Sequence, residues 1–200
     1  MIKYFFITLF TLNFFFTSLK AQERKLKYDV IRNGKIIGNI NFVEIVNGQK
    51  RFLTMNSDVK TKYIFAFTDI TSESAGYENG ILVYSSFYQK QTGSGETNKS
   101  TIAVGRSYKV TDDGNSRMVN FEPIRFGMLK LYVQVPDTVS KIFSGNYQKL
   151  LDIKKIAENR YRLELPDHKY NTYTYKNGIC IKVEIVRPLV SLEFVLKEIK

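Results

Sequence analysis

Few side chains in this sequence have the types and spacing to do chemistry, and two of them stand alone. His168 is the only histidine and Cys180 the only cysteine. A thiol beside an imidazole base is the least arrangement that supports thiol catalysis. His168 lies in "LPDHKYN", next to Pro166 and Asp167, a composition that suits a surface turn. Cys180 stands between Ile179 and Ile181 in an alternating run, so on a strand it points to the face opposite both. Nothing around it marks its thiolate as activated. One histidine and one cysteine fall short of the usual zinc sets. Asp112 and Asp113 are adjacent, so on a strand they would face opposite ways, and turn chemistry explains them better. No nucleophile elbow, Gly-rich phosphate loop or helical metal motif occurs. These residues predict no catalytic centre, no cofactor and no metal. The catalytic alternative is a hydrolase working through carboxylates and tyrosines that the sequence does not advertise.

The aromatic side chains are the other candidates. The chain has thirteen tyrosines and fifteen phenylalanines. Tyr63, Phe65 and Phe67 share one face of an alternating run, Tyr84, Phe87 and Tyr88 lie on another run, and Tyr132 sits on a short helical stretch. A rolled sheet encloses either packed side chains or a ligand cavity. Tyr63, Phe65, Phe67, Tyr84 and Tyr132 are therefore candidate ligand-binding residues for a lipid or other apolar molecule, with a plain packed core as the competing reading. Tyr170, Tyr173 and Tyr175 read as members of cross-strand pairs.

The elements that position these residues are strands. From residue 53 the odd positions read Leu, Met, Ser, Val, Thr, Tyr, Phe, Phe, while the even ones are mostly polar. Ile179, Ile181, Val183 and Ile185 alternate with Cys180, Lys182 and Glu184, and the chain closes the same way through Val190, Leu192, Phe194 and Leu196. Period-two patterning predicts antiparallel strands with one buried and one wet face. Asn-Gly occurs four times, at 33–34, 47–48, 79–80 and 177–178. A tight type I′ loop needs positive φ at both central residues, which Asn tolerates and Gly adopts freely. The pairs predict hairpins joining strands at about 26–32, 35–46, 50–67, 68–77, 81–91, 170–176 and 179–187. "TDDGN" at 111–115 predicts one more turn, and "QTGSGETNKS" at 91–100 a polar, flexible loop. The best helix candidate is "PIRFGMLKLYV" at 123–133, with Ile124, Met128, Leu131 and Tyr132 on one face and Gly127 weakening it. A second helical turn is expected near 138–151.

Residues 1–21 stand apart. Lys3 precedes the apolar run "YFFITLFTLNFFF", and "TSLKA" follows with small and polar residues. That is the layout of a secretory signal peptide, with cleavage after Ala21. The alternative is an uncleaved anchor, but the run is shorter than the ~20 apolar residues a spanning helix needs. Residues 22–200 then form one β domain held by its core, because a single cysteine leaves no internal disulfide. The net charge is +11, with the basic residues spread along the strands, as in "RYRLEL" at 160–165. A nucleic-acid reading wants clustering and a recognisable module. The sequence predicts no nucleic-acid partner and only mild attraction to anionic headgroups or acidic glycans.

"YDVIRNGKIIG", "YENGILVYSS", "PIRFGMLKLYV" and "YTYKNGICIKVE" together resemble a family of exported bacterial proteins catalogued as a domain of unknown function. The similarity runs from about Lys25 to Leu196. A more distant likeness is to another exported unknown-function family with a rolled antiparallel sheet. The resemblance implies a protein of the periplasm or outer envelope, mainly β, a single antiparallel meander rolled into a spiral sheet or open barrel with one or two short helices. It carries over no site residues. The expected role is non-enzymatic binding of an apolar or amphipathic ligand or of another envelope component, protein or glycan. The alternative is an interaction or scaffold module using an exposed sheet edge or basic face.

Overall fold

In a computed structural model of the chain, the described residues are 21–62, 66–187 and 191–200, and the side chains of residues 61, 62, 66 and 67 are outside that description. Fourteen strands form one sheet. They are β1 (Gln22–Arg32), β2 (Lys35–Asn47), β3 (Lys50–Lys62), β4 (Ala66–Glu78), β5 (Ile81–Gln91), β6 (Gly95–Val104), β7 (Ser107–Asp112) and β8 (Asn115–Val119), then β9 (Lys141–Ser144), β10 (Lys149–Ala157), β11 (Arg160–Glu164), β12 (Tyr170–Lys176), β13 (Ile179–Val186) and β14 (Ser191–Ile199). The order across the sheet is β8-β7-β6-β5-β4-β3-β2-β1-β14-β13-β12-β11-β10-β9. Each neighbouring pair is antiparallel, so this is a meander whose first and last strands meet as Tyr28 opposite Leu196 and Val30 opposite Phe194. The sheet rolls up without closing. β8 and β9 remain its two ends.

The tight turns follow the chemistry of Asn-Gly. Asn33-Gly34 lies between paired Arg32 and Lys35, Asn79-Gly80 between Glu78 and Ile81, and Asn177-Gly178 between Lys176 and Ile179. Both residues of each pair have positive φ, at 50° and 73°, 51° and 77°, and 51° and 79°. Asp113-Gly114 does the same between Asp112 and Asn115. The fourth Asn-Gly pair is used differently. Asn47 pairs with Lys50, so the loop residues are Gly48 and Gln49, one position later than expected. The expected strand 50–67 is divided, because β3 ends at Lys62 and β4 starts at Ala66, with Thr61 opposite Phe67. Residues 91–100 are mostly strand rather than flexible loop. β6 starts at Gly95 and pairs with β5 as Gln91 to Gly95, which leaves only residues 92–94 as the connection.

The helix candidate at 123–133 shrinks to a 3-10 turn at Met128–Tyr132. The reason lies upstream, where residues 124 and 126 are held extended by their neighbours. Leu82 donates its N–H to Ile124 O, Phe143 donates to Phe126 O, and Gly127 forms a parallel bridge to Phe143. Gly127 is also where a Cβ would lie 2.5 Å from the Tyr77 hydroxyl, so no other residue fits without displacing that ring. The second helical turn expected at 138–151 is absent, and β9 and the start of β10 occupy those residues.

Segment 121–133 and the β9–β10 turn close the roll where the sheet does not. The Tyr108 hydroxyl accepts from Ile124 N at 3.1 Å and donates to Leu82 O at 3.2 Å, while the Tyr175 hydroxyl donates to Leu131 O at 2.8 Å. Tyr132 stacks on Phe42 and meets Tyr28 edge-on, with centroids 5.2 Å and 5.4 Å away. Gln148, buried and at φ 50°, donates its amide to Ser100 O and Thr111 O on β6 and β7. Inward positions of the strands form a continuous core that includes Leu26, Tyr28, Ile40, Phe42, Leu53, Leu163 and Cys180. No helix among the described residues is long and apolar enough to cross a membrane.

Candidate ligand cavity

The roll encloses a cavity of about 920 Å³. That lies near the top of the range of ~300–1,000 Å³ for small-molecule sites. Its wall is built by the inward positions of β2–β5 and β12–β14 together with the 3-10 turn, Leu165 and the β9–β10 turn. At the closed end stand Met55, Glu73, Phe87, Met128, Leu129, Tyr132 and Tyr173. Register places Met55, Glu73 and Phe87 in one row, since Met55 opposes Glu73 and Glu73 opposes Phe87. At the other end the wall becomes polar, with Arg32, Asp69, Gln91, Lys169 and Arg187. These five lie at the ends of β1, β4, β5 and β13 and beside the Asp167-His168 turn, and all are partly exposed, so this end is the mouth.

Glu73 is the unusual group. Its side chain faces the cavity, with no hydrogen bond or ion pair to another described residue. Protein surrounds it closely, and loss of hydration pushes its carboxyl up from 4.5 to about 7. Around it, burial holds the hydroxyls of Tyr132 and Tyr173 well above the usual tyrosine range, so both remain neutral. Asp69 at the mouth is in the opposite situation. It accepts from Gln89 Nε2 at 3.1 Å, Thr71 Oγ1 at 3.0 Å and Gln91 Nε2 at 3.4 Å.

The five aromatic candidates are distributed unequally. Tyr132 lines the cavity. Tyr63 and Phe65 lie outside the described residues, and Phe67 is placed only by its backbone on β4, opposite Thr61. Tyr84 is on the outer face of the sheet and does not line the cavity. Tyr84 is three positions from inward-facing Phe87, so strand alternation puts it on the outer face, and a register shift next to Gly76, where Tyr77 opposes Leu82 rather than Val83, brings Leu82 back to the inside. Its ring lies flat over Gly76, where a Cβ would come within 2.2 Å of it. Phe87 and Tyr173 do line the cavity. Strand parity brings Phe87 inward, and that signal was legible. Nothing local distinguished Glu73 from Asp69 and Glu78 on the same strand, since its neighbours in "TSES" are all polar.

The remaining chemical candidates are separate. Cys180 is fully buried, its thiol donates to Lys182 O at 3.3 Å, and burial pushes its pKa up to about 12. A thiol held that way is a weak nucleophile. His168 is exposed in a turn at φ 55°. No hydrogen bond joins the two among the described residues. Lys130 is buried with its ammonium 3.9 Å from the Tyr77 ring centroid and 2.6 Å from Arg125 O, and burial together with Arg51 and Arg125 pulls its pKa down to about 8. It is not on the cavity wall. Among the described residues no group of three His, Cys, Asp or Glu is placed to hold a metal.

A comparison with curated proteins finds no match. Among solved structures the chain is similar to a beta-barrel-like protein of domain of unknown function DUF1849 from Brucella abortus, with a TM-score of 0.56 and 10% sequence identity. The alignment covers 89% of this chain and 97% of that one, and at this identity the likeness is one of fold alone. The family described as a domain of unknown function (DUF6134) matches residues 28–197, nearly the whole of the rolled sheet. The chain belongs to that family.

Proposed function

We propose that this is a non-enzymatic binding protein, exported with loss of residues 1–21, that holds the apolar part of an amphipathic molecule inside its open barrel. The observation that carries this reading is the cavity's polarity. An apolar floor of Met55, Phe87, Met128 and Leu129 rises to a polar mouth of Arg32, Asp69, Gln91, Lys169 and Arg187. Such a gradient fits a molecule with a hydrocarbon body and a polar head. A core optimised only for stability would fill this space, since voids and an uncompensated carboxyl both cost free energy. The direct test is native mass spectrometry of gently purified mature protein, followed by solvent extraction. A bound lipid-sized mass is expected. An empty cavity that also fails to take up short-chain amphiphiles would end this reading. N-terminal sequencing of the envelope fraction should begin at Gln22, and retention of Met1 there would refute the export step.

A second reading rests on the outer face. Register aligns Ile45, Phe52, Gly76, Tyr84 and Ile102 in one row across β2 to β6, with Ile45, Phe52 and Ile102 exposed. The adjacent row is Thr54, Ser74, Ser86, Ser100, Thr111 and Ser116, a ladder of hydroxyls. Such a face suits contact with another envelope component. Phe52→Ser with Ile102→Ser would abolish the cellular role on this reading while leaving ligand uptake intact.

A further inference from the structure

On the reading that the cavity holds an amphipathic molecule, we infer that its head is anionic, a carboxylate or a phosphate, and that Arg187 is the side chain that meets it. Arg187 follows the last residue of β13 and lines the mouth. Its Nη1 donates to Val186 O at 2.9 Å, Asn171 Oδ1 at 3.1 Å and Tyr170 O at 3.3 Å. These bonds hold the guanidinium in a fixed orientation, yet all three acceptors are neutral. No carboxylate pairs with Arg187 among the described residues. Residues 63–65 and 188–190, Tyr-Ile-Phe and Pro-Leu-Val, contain none either. The acids at the mouth are already engaged, Asp69 by two amides and a hydroxyl and Asp167 by Lys169 at 3.3 Å.

A partly buried cation without a counter-charge is costly to keep, and desolvation indeed lowers the pKa of this one. A planar guanidinium is also the side chain best matched to a two-oxygen anion. The orientation of the ligand follows from the other end of the cavity. An anionic head at the floor would meet Glu73 among apolar side chains, whereas at the mouth it meets Arg187 with Lys169 on the same rim. The tail therefore points inward and the head outward.

The test is isothermal titration of the mature chain at pH 7 with dodecanoate, dodecyl phosphate, dodecanol and dodecylamine, each below its micelle concentration or solubility limit. At least one of the two anions should bind tenfold or more tightly than dodecanol, and the preferred anion distinguishes a fatty-acid-like head from a phosphate head. Arg187→Gln should reduce both anions to the level of dodecanol without changing dodecanol itself, and Arg187→Lys should retain part of the preference. Equal affinity for all four heads in the unaltered protein would overturn the head assignment while leaving the cavity reading intact. A preference for dodecylamine would overturn it in favour of recognition by Glu73. An anion preference that survives Arg187→Gln would remove Arg187 from the assignment. Failure of all four to bind would defeat the cavity reading itself. Should Arg187→Gln unfold, as circular dichroism would reveal, the wild-type ranking and Arg187→Lys decide the question.

Discussion

Gln148 reaches across the open seam of the roll and donates its side-chain amide to Ser100 O, 2.9 Å away. The same nitrogen donates to Thr111 O at 2.8 Å, so one amide holds β6 and β7 to the β9–β10 turn where no strand ladder does. Removing it leaves two carbonyls without that donor at a partly buried site. Gln148→Ala should cost about 1–3 kcal/mol, read as a lower denaturation midpoint. Gln148→Glu should cost more, because a carboxylate would face two carbonyl oxygens. Unchanged stability in both would show that the seam is held by the 121–133 segment alone.

Glu73 gives stability a pH dependence of defined sign. Its carboxyl has an ordinary value of 4.5 and is raised to about 7 in the folded protein, so the fold favours the protonated form. The penalty is absent below the ordinary value, grows between 4.5 and 7, and is complete above 7. Tyr132 and Tyr173, the ionisable groups beside it, stay neutral throughout that window. Glu73→Gln should therefore leave the melting temperature unchanged at pH 4 and raise it at pH 8, by about 1–3 kcal/mol of stability, allowing for water in the cavity. No gain at pH 8 would mean that the carboxylate is well hydrated.

Filling the cavity should separate binding from folding. Ser57 is a small, partly buried residue on the wall. Ser57→Trp should abolish uptake of dodecanoate while keeping the melting temperature within a few degrees. Tyr84→Ala, on the outer face, should leave uptake unchanged. Loss of uptake in Tyr84→Ala with retained folding would place the ligand outside the barrel.

Gly178 has φ of 79° in the β12–β13 turn. Gly178→Val forces a β-branched residue into a left-handed conformation and should destabilise by at least about 1–2 kcal/mol. That corresponds to roughly 2–8 °C in melting temperature for a domain of this size. An unaltered melt would contradict the type I′ geometry.

His168→Ala changes an exposed turn residue and Cys180→Ser replaces the thiol with a hydroxyl that can still donate to Lys182 O. Neither should alter ligand affinity. Complementation of a deletion strain should be intact with His168→Ala. Loss of the cellular role in a folded His168→Ala protein would favour the hydrolase reading.

The hairpins were legible because their cause is local. Positive φ at Asn79-Gly80 or Asn177-Gly178 is a property of the two residues themselves, and period-two patterning marks each flanking strand without reference to any other. The same locality explains the errors. Asn47-Gly48 carries the same two letters as its siblings, but the pairing of Asn47 with Lys50 moves the loop one residue on. Leu82 and Tyr84 share strand parity, yet a register shift beside Gly76 puts them on opposite faces, and such a shift is set by the partner strand. Residues 124–127 look helical in isolation and are held extended by Leu82 and Phe143. The cavity is the furthest from local causes. Its existence depends on how fourteen strands roll and on how far the 121–133 segment fills the space between them. Glu73 and Arg187 come from opposite sides of that roll, more than a hundred positions apart, so only the tertiary structure makes one of them a floor and the other a rim.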